Sequence, residues 1–150
     1  MIWSSTYESR LRKLVVLQKR AVRMIAGIPR GEHTSSFYWE YKLLRIHQIR
    51  ALQIGEFIYR FEHNLLPPVF RGYFSTGSDI HTHYTRNSAA YRPAKARTNT
   101  RRFNIKSSGS LLWNTIPLEI RLSNNLQQFK RRIRTFLINS VNTTLLNLCI

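Results

Sequence analysis

The stretch IHQIRALQIGEFIYRFEHNLLPP, residues 46–68, decides the fold. Ile46, Ile49, Gln53, Ile54, Phe57, Ile58, Phe61 and Leu65 recur at intervals of one, three or four residues. Residues spaced in this way share one face of an α-helix, which makes a turn every 3.6 residues. Pro67 and Pro68 close the run, because proline supplies no amide hydrogen and disfavours helix in the residue before it. The aromatic density of the segment fits a packed core better than a base-stacking platform.

The flanking segments repeat the pattern. Leu11, Leu14, Val15, Gln18, Val22 and Ile25 predict an earlier helix, which Gly27 and Pro29 stop. Arg12, Lys19, Arg20 and Arg23 lie off that stripe. A basic amphipathic helix of this kind suits a solvated surface, a phosphate contact or a membrane surface. Thr34, Ser35 and Ser36 are candidate N-caps ahead of Phe37, Trp39, Tyr41, Leu43 and Leu44. On the C-terminal side, Phe103-Asn104-Ile105 could form a short strand leading into Ser107-Ser108-Gly109. Leu111, Leu112 and Trp113 then predict a short helix ended by Pro117. Asn124 and Gln127 resemble a capping box ahead of the stripe Leu126, Phe129, Ile133, Phe136 and Leu137. Trp113 and Phe129 are assigned to the core.

The expected fold is therefore mainly α: a small helical domain with a long basic loop and at most one short β element. One domain over residues 1–138 divides into a helical part (8–74), the basic loop (75–106) and a C-terminal helical part (107–138), with a tail at 139–150. No repeat of fixed period is present. A hydrophobic content of 43% suffices for a core, so disorder is not the default despite the charge. The single cysteine, Cys149, excludes an intrachain disulfide or a cysteine-based zinc site, and is compatible with an intracellular, reducing compartment. No stretch approaches the roughly 20 apolar residues of a membrane span.

Charge is the second decisive feature. Lys and Arg number 24 against 7 Asp plus Glu, a formal net charge of +17. After Glu62 the only acids are Asp79 and Glu119. That much uncompensated charge costs self-repulsion and points to a polyanionic partner. Between Ile80 and Lys106 lie Arg86, Arg92, Lys95, Arg97, Arg101, Arg102 and Lys106 with no acid, interleaved with Tyr84 and Tyr91 and followed by Phe103. Cations beside aromatics in an irregular segment suit backbone neutralisation with base stacking. Lys130, Arg131, Arg132 and Arg134 crowd the last helix. The expected nucleic-acid contacts are thus Arg86, Arg92, Lys95, Arg97, Arg101 and Arg102 on the loop, with Lys130, Arg131, Arg132 and Arg134 on the helix. The expected partner is RNA or DNA, engaged mostly through phosphates, with no small-molecule substrate.

The same composition argues against catalysis. Two-metal phosphoryl transfer needs clustered carboxylates, and Asp79 and Glu119 each stand alone. Glu32, Glu40, Glu56 and Glu62 read as ordinary solvated residues rather than a glycosidase pair. His81 and His83 form a His-x-His pair without the further ligands a zinc site requires, and His33, His47 and His63 are isolated. Neither a Walker loop nor a Gly-x-Ser-x-Gly elbow occurs. No catalytic residue, metal site or cofactor is expected.

Three blocks carry a resemblance. They are Ile2-Trp3 with Leu17-Gln18-Lys19-Arg20-Ala21-Val22-Arg23-Met24-Ile25; His83-Tyr84-Thr85-Arg86; and Ser108-Gly109-Ser110-Leu111-Leu112-Trp113-Asn114-Thr115-Ile116-Pro117 with Leu126-Gln127-Gln128-Phe129-Lys130-Arg131-Arg132-Ile133. In this order, residues 1 to about 138 resemble the C-terminal region of non-LTR retrotransposon (LINE-like) reverse transcriptases of the jockey and chicken-repeat type. The resemblance implies a position after the polymerase thumb and a role in holding template RNA or target DNA, with the upstream polymerase domain as a second partner. It also implies that the catalytic Asp-Asp motif and the endonuclease belong to other parts of such elements, and that this chain is a truncated copy.

Overall fold

The computed structural model describes residues 7–79 and 88–140. Expectations resting on Ile2, Trp3, His81, His83, Tyr84, Arg86 and the tail beyond residue 140 lie outside these residues. Among the described residues seven α-helices follow in order: α1 (Glu8–Ala26), α2 (Ser35–Glu40), α3 (Ile46–Glu62), α4 (Asn99–Arg102), α5 (Ile105–Thr115), α6 (Leu118–Arg121) and α7 (Leu126–Asn139). A 3-10 turn spans Pro68–Phe70. The only β feature among the described residues is an isolated antiparallel bridge between Thr76 and Tyr91. The chain is mainly α, as its periodicity predicts.

Helix α3 is central because it is apolar on more than one face. Ala51, Ile54, Ile58 and Tyr59 are buried, and Ile49, Leu52, Phe57 and Phe61 pack against the same core. Helices α5 and α7 both lie against it. Two glycines set how closely they approach. A Cβ on Gly55 would sit 2.6 Å from the Cδ1 of Ile133 on α7. A Cβ on Gly109 of α5 would sit 3.1 Å from the Cδ1 of Ile58 and 3.4 Å from the Cγ2 of Ile54. Around Gly109 the α5 face is built of small residues, with Ser107, Ser108 and Ser110 buried. The Ser108 and Ser110 hydroxyls donate to the carbonyls of Asn104 (3.1 Å) and Lys106 (2.8 Å). These bonds to the preceding turn let serine enter an apolar interface without an unpaired hydroxyl.

Aromatic rings fill the remaining space. Tyr59 stacks on Phe129 at 4.5 Å, and Trp113 lies 5.8 Å from Phe129. Trp113 and Phe129 are both buried, as expected. The Tyr59 hydroxyl donates to the Ser123 carbonyl at 2.7 Å, which ties the α6–α7 loop to α3. At the far end of α7 the Gln48 side chain donates to the Leu137 carbonyl, one of the orphan acceptors of a helix C-terminus.

Several local expectations are corrected. Phe103-Asn104-Ile105 is not a strand. Asn104 is the N-cap of α5, its Oδ1 accepting from the Lys106 amide at 2.9 Å, so helix starts at Ile105. The expected loop 75–106 is shortened accordingly, and Arg101 and Arg102 sit on α4. Helix α3 ends at Glu62, before the prolines. Asn64 takes a left-handed φ of 54°, the Leu65 amide bonds back to the Arg60 carbonyl, and Leu65 is exposed. The cap of α7 is Asn125, one residue later than expected, with its side chain accepting from Gln128 N at 2.8 Å.

Helix α1 is docked along a narrow line. Leu11 and Val22 are buried. The Gln18 side chain donates to Leu44 O (2.8 Å) and accepts from Ile46 N (3.2 Å), clamping α1 to the start of α3. Leu14 and Ile25, expected on the buried stripe, are 41% and 68% exposed.

The glycine contact yields a test. Alanine is the better helix former by about 1 kcal/mol, but overpacking a filled core costs about 1–3 kcal/mol. Gly55→Ala should therefore lose up to about 2 kcal/mol in chemical denaturation. Ile133→Val removes the facing methyl and should cost about 1 kcal/mol alone, yet should restore stability in the Gly55→Ala background. Strictly additive losses would show that α3 and α7 do not meet there.

Candidate nucleic-acid interface

The basic segment after residue 88 is tethered to the core at its start. The Asn114 side chain, on α5, accepts from Tyr91 N (3.0 Å) and donates to Tyr91 O (2.8 Å). One carboxamide thus pairs with a backbone unit as a neighbouring strand would. Backbone bonds from Gly77 to Ala90, Ser78 to Ser88 and Arg92 to Ser75 complete a hairpin-like closure. The Asp79 carboxylate accepts from the Thr76 amide and hydroxyl, and these bonds hold its pKa below the usual value.

This closure buries Tyr91, and Phe103 is buried with its ring against Tyr7 at 5.1 Å. Tyr91 and Phe103 are core residues. Burial, and then the Glu62 carboxylate beside it, push the Tyr91 hydroxyl well above its ordinary pKa. The stacking expectation for these two rings is therefore withdrawn. The hydrophobic effect outweighs any affinity of an exposed ring for bases when Phe61 and Phe74 lie within ring contact of Tyr91.

The cations beyond Tyr91 behave differently. Arg92, Lys95, Arg97, Arg101 and Arg102 are exposed. The charged ends of Lys95, Arg97, Arg101 and Arg102 have no partner among the described residues. They follow one another along a short stretch that contains no acid. Lys106 instead lies over the Tyr73 ring, 5.4 Å from its centroid.

The α7 cations do not form one patch. Lys130 pairs with Glu56 on α3 at 2.9 Å, and Glu56 also pairs with Arg60 at 2.7 Å. Arg132 donates to the Glu119 carbonyl on α6 at 2.9 Å. Arg134 donates to the Lys42 carbonyl in the α2–α3 connection at 3.1 Å. Arg131 is exposed, and its guanidinium has no partner among the described residues. Successive helix positions turn by about 100°, so neighbours in sequence fan out around the axis. Glu56 is half-buried in an ion-pair network rather than solvated, whereas Glu62 is exposed, as expected, and flanks Tyr91.

A further basic surface lies on α1, where Ser9, Arg12, Lys13, Val16, Leu17 and Arg20 line a shallow groove. Arg12 and Arg20 are among the cations that the sequence places off the apolar stripe of this helix, and the apolar Val16 and Leu17 beside them also fall off that stripe. Among the described residues no three His, Cys, Asp or Glu side chains gather where they could hold a metal ion, and no helix is long and apolar enough to cross a membrane. Comparison with known proteins returns no matching family model, curated protein or solved structure.

The Asn114 clamp is open to test. Asn114→Ala removes two part-buried hydrogen bonds at about 1 kcal/mol each. A loss of about 2 kcal/mol and faster hydrogen exchange at the Tyr91 amide are expected. Exchange unchanged at Tyr91 would mean that the clamp does not hold the segment.

Proposed function

We propose that the chain is a non-catalytic nucleic-acid-binding segment that contacts the RNA or DNA backbone. The observation that carries this reading is the run of exposed, unpartnered cations Lys95, Arg97, Arg101 and Arg102 on a segment whose start is pinned to the core. Unpaired surface cations neutralise phosphates and release counterions, which gives affinity with little sequence readout. The block resemblance to the post-thumb region of non-LTR retrotransposon reverse transcriptases supports the same reading and supplies its origin: a piece of an RNA-directed DNA polymerase that holds template or target while other parts of the element do the chemistry. The scarcity of acids accords with a binding role, since polymerase and nuclease centres need clustered carboxylates.

Titration of RNA, single-stranded DNA and duplex DNA over a salt series tests the proposal. If about six phosphates are neutralised on duplex DNA, the slope of log K against log salt is about −5. Arg97→Ala, Arg101→Ala and Arg102→Ala should each flatten it by about one and weaken all sequences alike. Lys130→Ala should leave the slope almost unchanged, because Lys130 is engaged with Glu56. Binding that does not respond to salt would sink the proposal.

A second reading has its own observation. Leu17, Met24 and Ile25 on the outer side of α1 are 56%, 82% and 68% exposed. A helix face of that kind is built to be covered, and the chain could serve to pack on the polymerase thumb or another protein. On this reading the chain alone self-associates in analytical ultracentrifugation. Substituting Leu17, Met24 and Ile25 together by Gln would then give a monomer of unchanged melting temperature. A wild-type chain that stays monomeric as concentration rises counts against it.

A further inference from the structure

The α6–α7 hairpin leaves a wide, open cleft of about 700 Å³, as shallow as the groove on α1, lined by Glu119, Ile120, Arg131, Arg132, Thr135, Phe136 and Asn139. Its volume is in the range of small-ligand sites. Its chemistry is graded along one helix face. Arg132, Thr135, Phe136 and Asn139 stand at i, i+3, i+4 and i+7, so they rise together along α7. At 1.5 Å per residue, Arg132 and Asn139 are separated by about 10 Å along the axis. The order is a cation, then an aromatic ring with a hydroxyl, then a carboxamide.

Ile120 and Phe136 are partly buried and pack on the core from inside the cleft wall. Neither Arg132 nor Asn139 belongs to the core, and both are exposed. The Arg132 guanidinium is held across the cleft by the Glu119 carbonyl at 2.9 Å. Five N–H groups on a guanidinium leave others for an incoming anion. Arg131 adds an unpartnered charge at the same wall. Glu119, on α6, lines the cleft at the same end as Arg132. A ligand that suits this arrangement is anionic at the arginine end, flat and apolar-faced in the middle, and a hydrogen-bonding edge at the far end.

We propose that this cleft takes one unstacked nucleobase of a single strand, with its 5′ or 3′ phosphate on Arg131 and Arg132, its face on Phe136 and Ile120, and its edge at Asn139. A paired base in a duplex cannot enter, because its faces are covered by neighbours and its edge by its partner. The chain therefore binds single strands more tightly than duplex of equal length. This inference rests on the nucleic-acid reading above, and goes beyond it in naming the strand state and a base-sized site.

The test compares fluorescence anisotropy of a single-stranded RNA oligonucleotide and its duplex, using the full chain and two variants. Phe136→Leu keeps an apolar side chain but removes the ring face. Asn139→Ala changes an exposed side chain outside the core and serves if the first variant folds poorly. The expected result is at least a fivefold loss of single-strand affinity for Phe136→Leu, a smaller loss for Asn139→Ala, and duplex affinity within twofold of wild type for both. Stacking on aromatic side chains is large enough to give such a loss. Equal affinity of wild type for single strand and duplex, with no effect of either variant, overturns the cleft and leaves phosphate binding intact. Failure of wild type to bind either nucleic acid overturns both.

Discussion

The contact between the bare backbone at Gly55 and the Ile133 side chain fixes everything downstream of α3. A Cβ at residue 55 would sit 2.6 Å from the Ile133 Cδ1, so the helices meet here with Ile133 packed directly on the bare backbone and a side chain at 55 is admitted only if Ile133 moves. Ile133 and Phe129 are fully buried as a result. Burying each such side chain is worth about 1.5–3 kcal/mol. The Glu56–Lys130 ion pair falls beside the same contact, and the Tyr59–Phe129 stack lies one turn further along. Gly109 repeats the device between α5 and α3. A slip of one position at Gly55 would present Ile54 or Glu56 to Ile133, which limits the registers that α3 and α7 can take.

That fixed register sorts the charges. With Ile133 turned inward, Lys130 faces the Glu56 carboxylate, Arg132 reaches α6, Arg134 reaches the α2–α3 connection and Arg131 faces solvent. Four cations close together in sequence acquire different surroundings from one rotation. On α5 the same logic places Asn114. Leu112 and Trp113 enter the core, so the next residue emerges at the edge, where its carboxamide meets the Tyr91 backbone. A sequence run Leu-Trp-Asn thus encodes two buried anchors and one clamp for the basic segment.

Periodicity made α3, the Leu112–Trp113 anchor and the α7 stripe legible, because each has enough apolar residues at helical spacing to outweigh local noise. It failed where a single polar side chain decides. Asn104 converts an apparent strand into a helix start by capping one amide, and Asn64 ends α3 through a left-handed turn before any proline is reached. It failed also where tertiary packing overrides composition. Tyr91 and Phe103 sit among cations in sequence, yet both are drawn into the core. On α1 the expected stripe is real but only partly used: Leu11 and Val22 are buried, whereas Leu14 and Ile25 are left outside. Periodicity reports that a helix has an apolar face and does not report whether the chain contains enough partner surface to cover it. Of the candidate interface, the exposed cations at 92–102 were readable from composition. The fan of α7 cations was not, since it depends on which side of α7 meets Gly55.

The distribution of acids explains why so basic a chain can hold this shape. Glu56 answers Lys130 and Arg60 at the one place where cations flank the helix contact, and Asp79 caps the turn that closes the basic hairpin. Both carboxylates stand at points where the fold itself needs an acceptor. Lys95, Arg97, Arg101 and Arg102 stand in water, where unit charges at 4 Å interact by only about 1 kcal/mol and ions screen them beyond about 10 Å at 0.1 M salt. Leaving them unpaired is therefore cheap in the free chain and becomes consequential only when a dense anion approaches and the counterions leave. On the proposed reading, the scaffold spends its few acids on structure and keeps its outer cations free, which is the division of charge that backbone-directed binding of nucleic acid requires.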